Sequence, residues 1–323
     1  MNRIFSNPIA LGITCALIAA FFFTLNDVGI KFLSGDYPLH EVVLIRALIA
    51  LSITLAIFMP LEGGYHNLRT KRLGLHMVRG VFVVMANLLF FLGLASIPLS
   101  EATAIFFIAP VIITIFSVIF LGETVGVWRW FAVGAGLLGA LIMLRPNPAS
   151  FQIASLLPMF AAVCYATLHI LSRKMGGTES ASTLSFYIQL TFVLVSAAMG
   201  LTFHDGATAG SENITIQFLL RAWVMPTPFD FAVMAGVGVA SAVGGYFISQ
   251  AYRTSEAALV APFEYVGLLL AIIWGIAIFD EWPDYIAWLG MALILSSGLL
   301  MLWRESVQKK RARIRDKGLH RLQ

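Results

Sequence analysis

The sequence predicts an all-α integral membrane protein of ten transmembrane helices arranged as two inverted five-helix repeats. Three observations predict it. Ten apolar stretches, each long enough to cross a bilayer, fill the 323 residues almost end to end. Hydrophobic residues make up 59% of the chain and charged residues only 12%, with mean hydropathy +0.87. A soluble chain carries about 25% charged residues, so lipid rather than a soluble core is the natural solvent for this surface. Finally, the last five stretches weakly repeat the first five, and a unit with an odd number of spans re-enters the membrane from the opposite side.

Taken in order, the spans fall at about 8–33, 40–60, 73–95, 100–121, 127–144, 151–172, 182–203, 229–251, 256–279 and 284–303. The first runs through Phe21–Phe23 without a polar cleavage region, so it reads as a retained helix and not a signal peptide. Gly63-Gly64 stops the second, Pro146 and Pro148 the fifth, and Gly176-Gly177 the sixth. The third follows the basic run around Arg69–Arg72, and the fourth ends in Leu121-Gly122-Glu123. Between the seventh and eighth lies 204–228, polar and rich in Gly, Thr and Pro, with an interfacial segment expected around Ile216–Val224. The ninth contains Pro262, and the tenth begins after Pro283. The resulting organisation is a repeat at 8–144, a second at 151–303, and a basic tail at 304–323.

Charge fixes the orientation. With the N-terminus cytoplasmic, inner segments hold Arg3, Arg69, Lys71, Arg72, Arg129, Arg173, Lys174, Arg253 and the tail, whereas outer loops hold only Arg145 and Arg221. Asp36, Asp205, Glu212, Asp280, Glu281 and Asp284 fall outside. Both termini are therefore expected in the cytoplasm, which requires an even number of spans. The net charge of +4 is membrane topology, not a nucleic-acid stripe, because the basic residues sit in short loops and the tail.

The repeat is visible residue by residue. Thr24-Leu25-Asn26 with Lys31 matches Thr167-Leu168-His169 with Lys174, and the same offset sets Arg46 over Gln189. Ser100-Glu101-Ala102 matches Ser255-Glu256-Ala257, and Gly122-Glu123 matches Asp280-Glu281.

Polar residues inside spans are costly and normally face the bundle interior. Asp27 and Lys31 share a helix face, and Arg46 should reach the same depth, giving either a charged wall of a cavity or a structural ion pair between the first two helices. Arg79 is expected to snorkel to headgroup phosphates or, alternatively, to meet an anionic ligand group. Asn87 suits helix–helix bonding or ligand contact. Tyr165 and His169 are spaced i, i+4, and the histidine is a candidate for proton coupling. Tyr187 with Gln189, and Tyr246 with Gln250, offer aromatic and amide groups to a shared cavity. Glu264 lies about 12 Å along the ninth span, after Pro262; beside a weakened helix a carboxylate can bind a cation, carry a proton or hold an amine, or else pair with Arg253 or Arg79. Cys15 and Cys164 are packing residues. No phosphate-binding loop, nucleophile triad or zinc spacing is present, so neither cofactor nor metal is expected and an integral-membrane enzyme is disfavoured. A channel would need a continuous polar stripe on several helices, and polar groups here are sparse.

The segments Asn26-Asp27-Val28-Gly29-Ile30-Lys31, His40-Glu41 with Arg46, His76-Met77-Val78-Arg79-Gly80, Arg129-Trp130 and Ala261-Pro262-Phe263-Glu264-Tyr265 resemble the drug/metabolite transporter superfamily, in particular its EamA-type ten-helix carriers. Within it, the first and last segments are similar to the bacterial S-adenosylmethionine uptake carriers. The resemblance implies a small-metabolite carrier of the bacterial inner membrane that works by alternating access without ATP hydrolysis, importing or exporting amino acids, nucleotide-like compounds or riboflavin. On these grounds the expected substrate-lining residues are Asp27, Arg46, Asn87, Tyr165, His169, Tyr187, Gln189, Tyr246, Gln250, Glu264 and Tyr265, and the expected coupling or gating residues are Asp27, Lys31, His169 and Glu264. S-adenosylmethionine uptake is the leading expectation, with proton or substrate counter-transport as the coupling.

Overall fold

The computed structural model describes residues 8–33, 35–96, 105–144, 156–203, 219, 221–279, 282, 284–286, 288–297, 299–300 and 303. Of the interfacial segment expected at 216–224, residues 216–218 and 220 lie outside these residues, as do the tail from 304, Glu101, Arg145, Asp280 and Glu281. Among the described residues the regular structure is helical. Seven helices are long and apolar enough to cross a membrane, and three shorter apolar helices accompany them.

We number the helices α1 (Pro8–Leu33), α2 (Leu39–Leu61), α3 (Leu73–Ser96), α4 (Ala109–Leu121), α5 (Val127–Leu144), α6 (Leu156–Met175), α7 (Ala181–Phe203), α8 (Pro228–Thr254), α9 (Ala257–Phe279) and α10 (Trp288–Ser297). Their ends follow local chemistry. Gly122 takes a left-handed conformation, φ 67°, and closes α4. Thr227 caps α8 by accepting from the Asp230 amide, with Pro228 in the first turn where its missing N–H costs nothing. Two helices are irregular, each beside a proline. The stretch Thr54–Phe58 of α2 widens to a π-turn just before Pro60, which makes room for a ring that would otherwise press on the carbonyl one turn back. In α9 the stretch Ala261–Tyr265, containing Pro262, tightens to a 3₁₀-turn between two α-helical pieces.

The distribution of side chains inverts that of a soluble protein. Small residues fill the interior, among them Ala19, Ala47, Ala50, Ala162, Ala166 and Ala251, while Phe32, Ile57, Ile119, Phe120, Leu138, Leu201 and Leu299 are exposed. Lipid tails solvate large apolar groups as well as a core does, so association rests on close backbone approach. Gly29 of α1 illustrates it: an added Cβ would stand 2.3 Å from the Val237 side chain of α8. At Gly93 of α3 a Cβ would stand 2.8 Å from Pro158 of α6.

Those two contacts belong to a recurring set of packed pairs. Helix α1 packs on α8 and α3 on α6; α2 packs on α7; α1 packs on α9 and α6 on α4; α2 packs on α8 and α7 on α3. Advancing each helix number by five converts one member of a pair into the other. The links run to opposite ends as well. The α1–α2 link meets the start of α8, where Tyr37 donates to Asp230 at 2.8 Å, whereas Gly176 of the α6–α7 link lies against the Arg253 backbone at its finish. We call these the far and near ends.

Candidate functional site

Among the described residues, most of the expected site residues fall in three groups of polar side chains. The first joins α1, α2, α7 and α8. Arg46 Nη1 donates to Asn26 Oδ1 at 3.3 Å, and Asn26 Nδ2 donates to Asp27 Oδ1 at 3.0 Å, so the amide relays between guanidinium and carboxylate. Arg46 also lies 5.1 Å from the Phe192 ring centroid, a cation–π distance. Gln189 donates to Ser241 at 3.2 Å, and its Oε1, like Arg46 Nε and Ser185 Oγ, is buried without a protein partner. Asn26, Arg46 and Gln189 are buried, but Asp27 is exposed and stands within electrostatic range of Arg46 and Tyr165. The expected Asp27–Arg46 contact is thus indirect, through Asn26, which was not among the expected lining residues. Lys31 lies exposed in the last turn of α1.

The second group surrounds Glu264, which the 3₁₀-turn of α9 presents to α6 and α8. Tyr252 donates a hydrogen bond to Glu264 Oε1, and the Tyr165 hydroxyl stands beside the same carboxylate. The His169 ring stacks on Tyr252 with centroids 4.2 Å apart and meets Tyr165 edge-on at 4.2 Å. From Tyr165 the ring contacts continue to Phe106 at 5.4 Å and on to Phe90 at 4.9 Å. Tyr165 and His169 were expected as an i, i+4 pair and Glu264 apart from them; Tyr252 was not expected at all. Pairing of Glu264 with Arg253 or Arg79 does not occur. Tyr265, the next residue, faces away: its ring fills the space beside Gly136 of α5 and lies 5.9 Å from Phe107.

The third group closes the near end. Glu62 accepts from the Ser182 amide at 2.7 Å and from Tyr246 at 3.2 Å, with Arg253 at 3.9 Å. Arg253 donates to Gln250 Oε1 and the Glu179 carbonyl, Tyr187 donates to the Leu68 carbonyl, and Thr70 donates to Glu179. Glu123 accepts from Arg173 at 3.2 Å and from the first amides of α9, Ala257 and Ala258, a good place for a carboxylate. Tyr187, Tyr246 and Gln250, expected to line a cavity, therefore bond within the near-end network, because their tips reach loop carbonyls and carboxylates that the sequence does not place. At the far end the bond to Asp230 holds the Tyr37 phenol above its usual range.

Arg79 requires a correction. Instead of snorkelling it is 2% exposed and points inward, with Nε donating to Ser172 at 2.8 Å, Nη1 to the Leu184 carbonyl at 2.7 Å and Nη2 to Ser249 at 3.3 Å. The face it shares with His76, Gly80, Val83 and Ala86 is buried, while Met77, Val78, Val81 and Met85 are exposed. The small residues on that face are the signal that would have turned it inward. Asn87 is half-buried with its Oδ1 buried and without a protein partner. An apolar groove of about 440 Å³ lies elsewhere, between Leu44, Leu48, Trp223 and Phe231 at the far end.

An all-helical bundle with large apolar side chains on its outer faces and buried polar networks inside is the build of a helical membrane protein. Residues 10–145 match the EamA-like transporter family, and the chain carries a domain of that family within the drug/metabolite transporter superfamily. A riboflavin transporter of Vibrio cholerae is 29% identical over 85% of this chain and 87% of its own length. An S-adenosylmethionine uptake transporter of Rickettsia prowazekii is 26% identical over 91% and 93%, and a pseudopaline exporter of Pseudomonas aeruginosa 25% identical over 90% and 93%. A crystal structure of a protein 15% identical in sequence superposes with TM-score 0.72 over 90% of this chain and 95% of that one, a likeness of fold.

Proposed function

We propose that the chain is a secondary active carrier, and not an enzyme, that moves a small polar or amphoteric metabolite across the bacterial inner membrane by alternating access. It crosses the membrane ten times with both termini cytoplasmic, as inverted repeats 8–144 and 151–303, with the near end inside. The observation that carries this reading is the recurrence of packed pairs under a shift of five helices, with α1–α2 and α6–α7 links at opposite ends of α8. Such halves can rock about a shared site near the midplane. The Asp27–Asn26–Arg46 relay with Gln189, and the Glu264 cluster with Tyr165 and His169, lie where the halves meet and supply both signs of charge. Tyr187, Tyr246 and Gln250 serve closure at the near end and Tyr265 anchors α9 to α5.

S-adenosylmethionine is the first candidate cargo, because it is amphoteric and the named uptake carriers match over nine-tenths of the chain. The riboflavin relatives support a second reading at similar identity. Proteoliposomes loaded with unlabelled S-adenosylmethionine should take up labelled compound saturably and faster than empty ones. Uptake linear in concentration and indifferent to internal substrate would contradict a carrier. Counterflow with riboflavin alone would select the second cargo.

A further inference from the structure

We propose that the Glu264 cluster binds a positively charged centre of the transported molecule, an ammonium or sulfonium group, held by the carboxylate against the rings of Tyr165 and Phe106. The proposal deepens the carrier reading and rests on it. A carboxylate at membrane depth is costly unless a cation offsets it. Glu264 has hydroxyl neighbours, Tyr252 and Tyr165, and these do not neutralise its charge. The arginines of the interior are engaged elsewhere: Arg79 with Ser172, Leu184 and Ser249, Arg46 with Asn26, and Arg253 with Gln250 and Glu179.

The surroundings discriminate between cations. Aromatic faces attract a cation within about 6 Å, most strongly one that is weakly hydrated. Glu264, Tyr165 and Phe106 are only half-buried, so the carboxylate shares an accessible border with the Tyr165 and Phe106 rings. The buried His169 and Tyr252 rings back it, with His169 at 4.2 Å from both Tyr252 and Tyr165. A hard metal ion wants about six oxygen ligands. Among the described residues no group of three or more His, Cys, Asp or Glu side chains could hold one. One carboxylate with a ring wall instead suits an onium or ammonium group, whose charge is diffuse and whose substituents are apolar.

Choline and its neutral isostere 3,3-dimethylbutan-1-ol isolate the charge. With the full-length protein in lipid nanodiscs, calorimetric titration should show choline binding and no binding of the isostere. Glu264→Gln should weaken choline by about tenfold or more. Glu264→Asp, which keeps the charge, should retain binding within a few-fold, while Tyr165→Phe should lose less than the Gln variant because the ring remains. Melting curves for each variant establish that the fold survives. Equal binding of choline and its isostere, unchanged choline affinity in Glu264→Gln, or no choline binding at about 100 mM would overturn the proposal. Metabolite counterflow measured on the same preparation separates the two readings. Counterflow without choline binding removes the cation site alone, and choline binding at Glu264 without counterflow faults the carrier.

Discussion

Individual side chains set what the interior can do, and the least anticipated of them is Arg79. Its three donors bridge α3 to α6, α7 and α8, so truncation would leave Ser172, Ser249 and a backbone carbonyl short of a donor. Net bonds of this kind contribute about 1 kcal/mol each, somewhat less in lipid and more for a charged donor. Arg79→Leu should therefore destabilise the protein by roughly 2–4 kcal/mol in a denaturant titration. Arg79→Lys should recover only part, since one ammonium cannot span three helices in the guanidinium's fork geometry. The relay makes a second prediction. Because Asn26 sits between Arg46 and Asp27, the effects of Asp27→Ala and Arg46→Ala on uptake should not add, and Asn26→Ala should reproduce much of either loss. Additive losses in a double-mutant cycle would show that the two charges act independently.

The helices themselves were largely legible in the sequence, and their faces were not. Val127–Leu144 and the stops at Gly63 and Gly176 fall where apolar run length and turn chemistry put them, because a bilayer demands long uninterrupted apolar helices. Which side of a helix looks inward is a different matter. Lipid and core are both apolar, so hydrophobic periodicity carries little information, and the inward turn of Arg79 and the role of Tyr252 went unseen for that reason. Tyr165, His169 and Glu264 could each be expected to face the interior because polar residues at mid-span must face protein, but nothing in the sequence joined Glu264 to the other two. The near-end bonds of Tyr187, Tyr246 and Gln250 were not legible because their partners, Leu68, Glu62 and Arg253, belong to loops and helix ends with no periodic signature. Close approach gives the element-scale prediction. Gly29→Ile would drive a branched side chain into Val237 and prise α1 from α8, costing about 1–3 kcal/mol and lowering the melting temperature in detergent. Near-end closure gives another: Arg253→Ala removes contacts to Gln250, Glu179 and Glu62, so a cysteine placed at Ser182 should react faster with thiol reagents in that background.

For the molecule as a whole, the central claim is that two five-helix halves lie upside down relative to each other around a common interior. The links α1–α2 and α6–α7 occupy corresponding places in the halves, and they lie at opposite ends of α8. Single cysteines at Asp36 and Gly177, in a background lacking Cys15 and Cys164, test this in intact cells with a membrane-impermeant maleimide. The account predicts labelling at 36 from outside, and labelling at 177 only after the membrane is permeabilised. Labelling of both positions from the same side would contradict it.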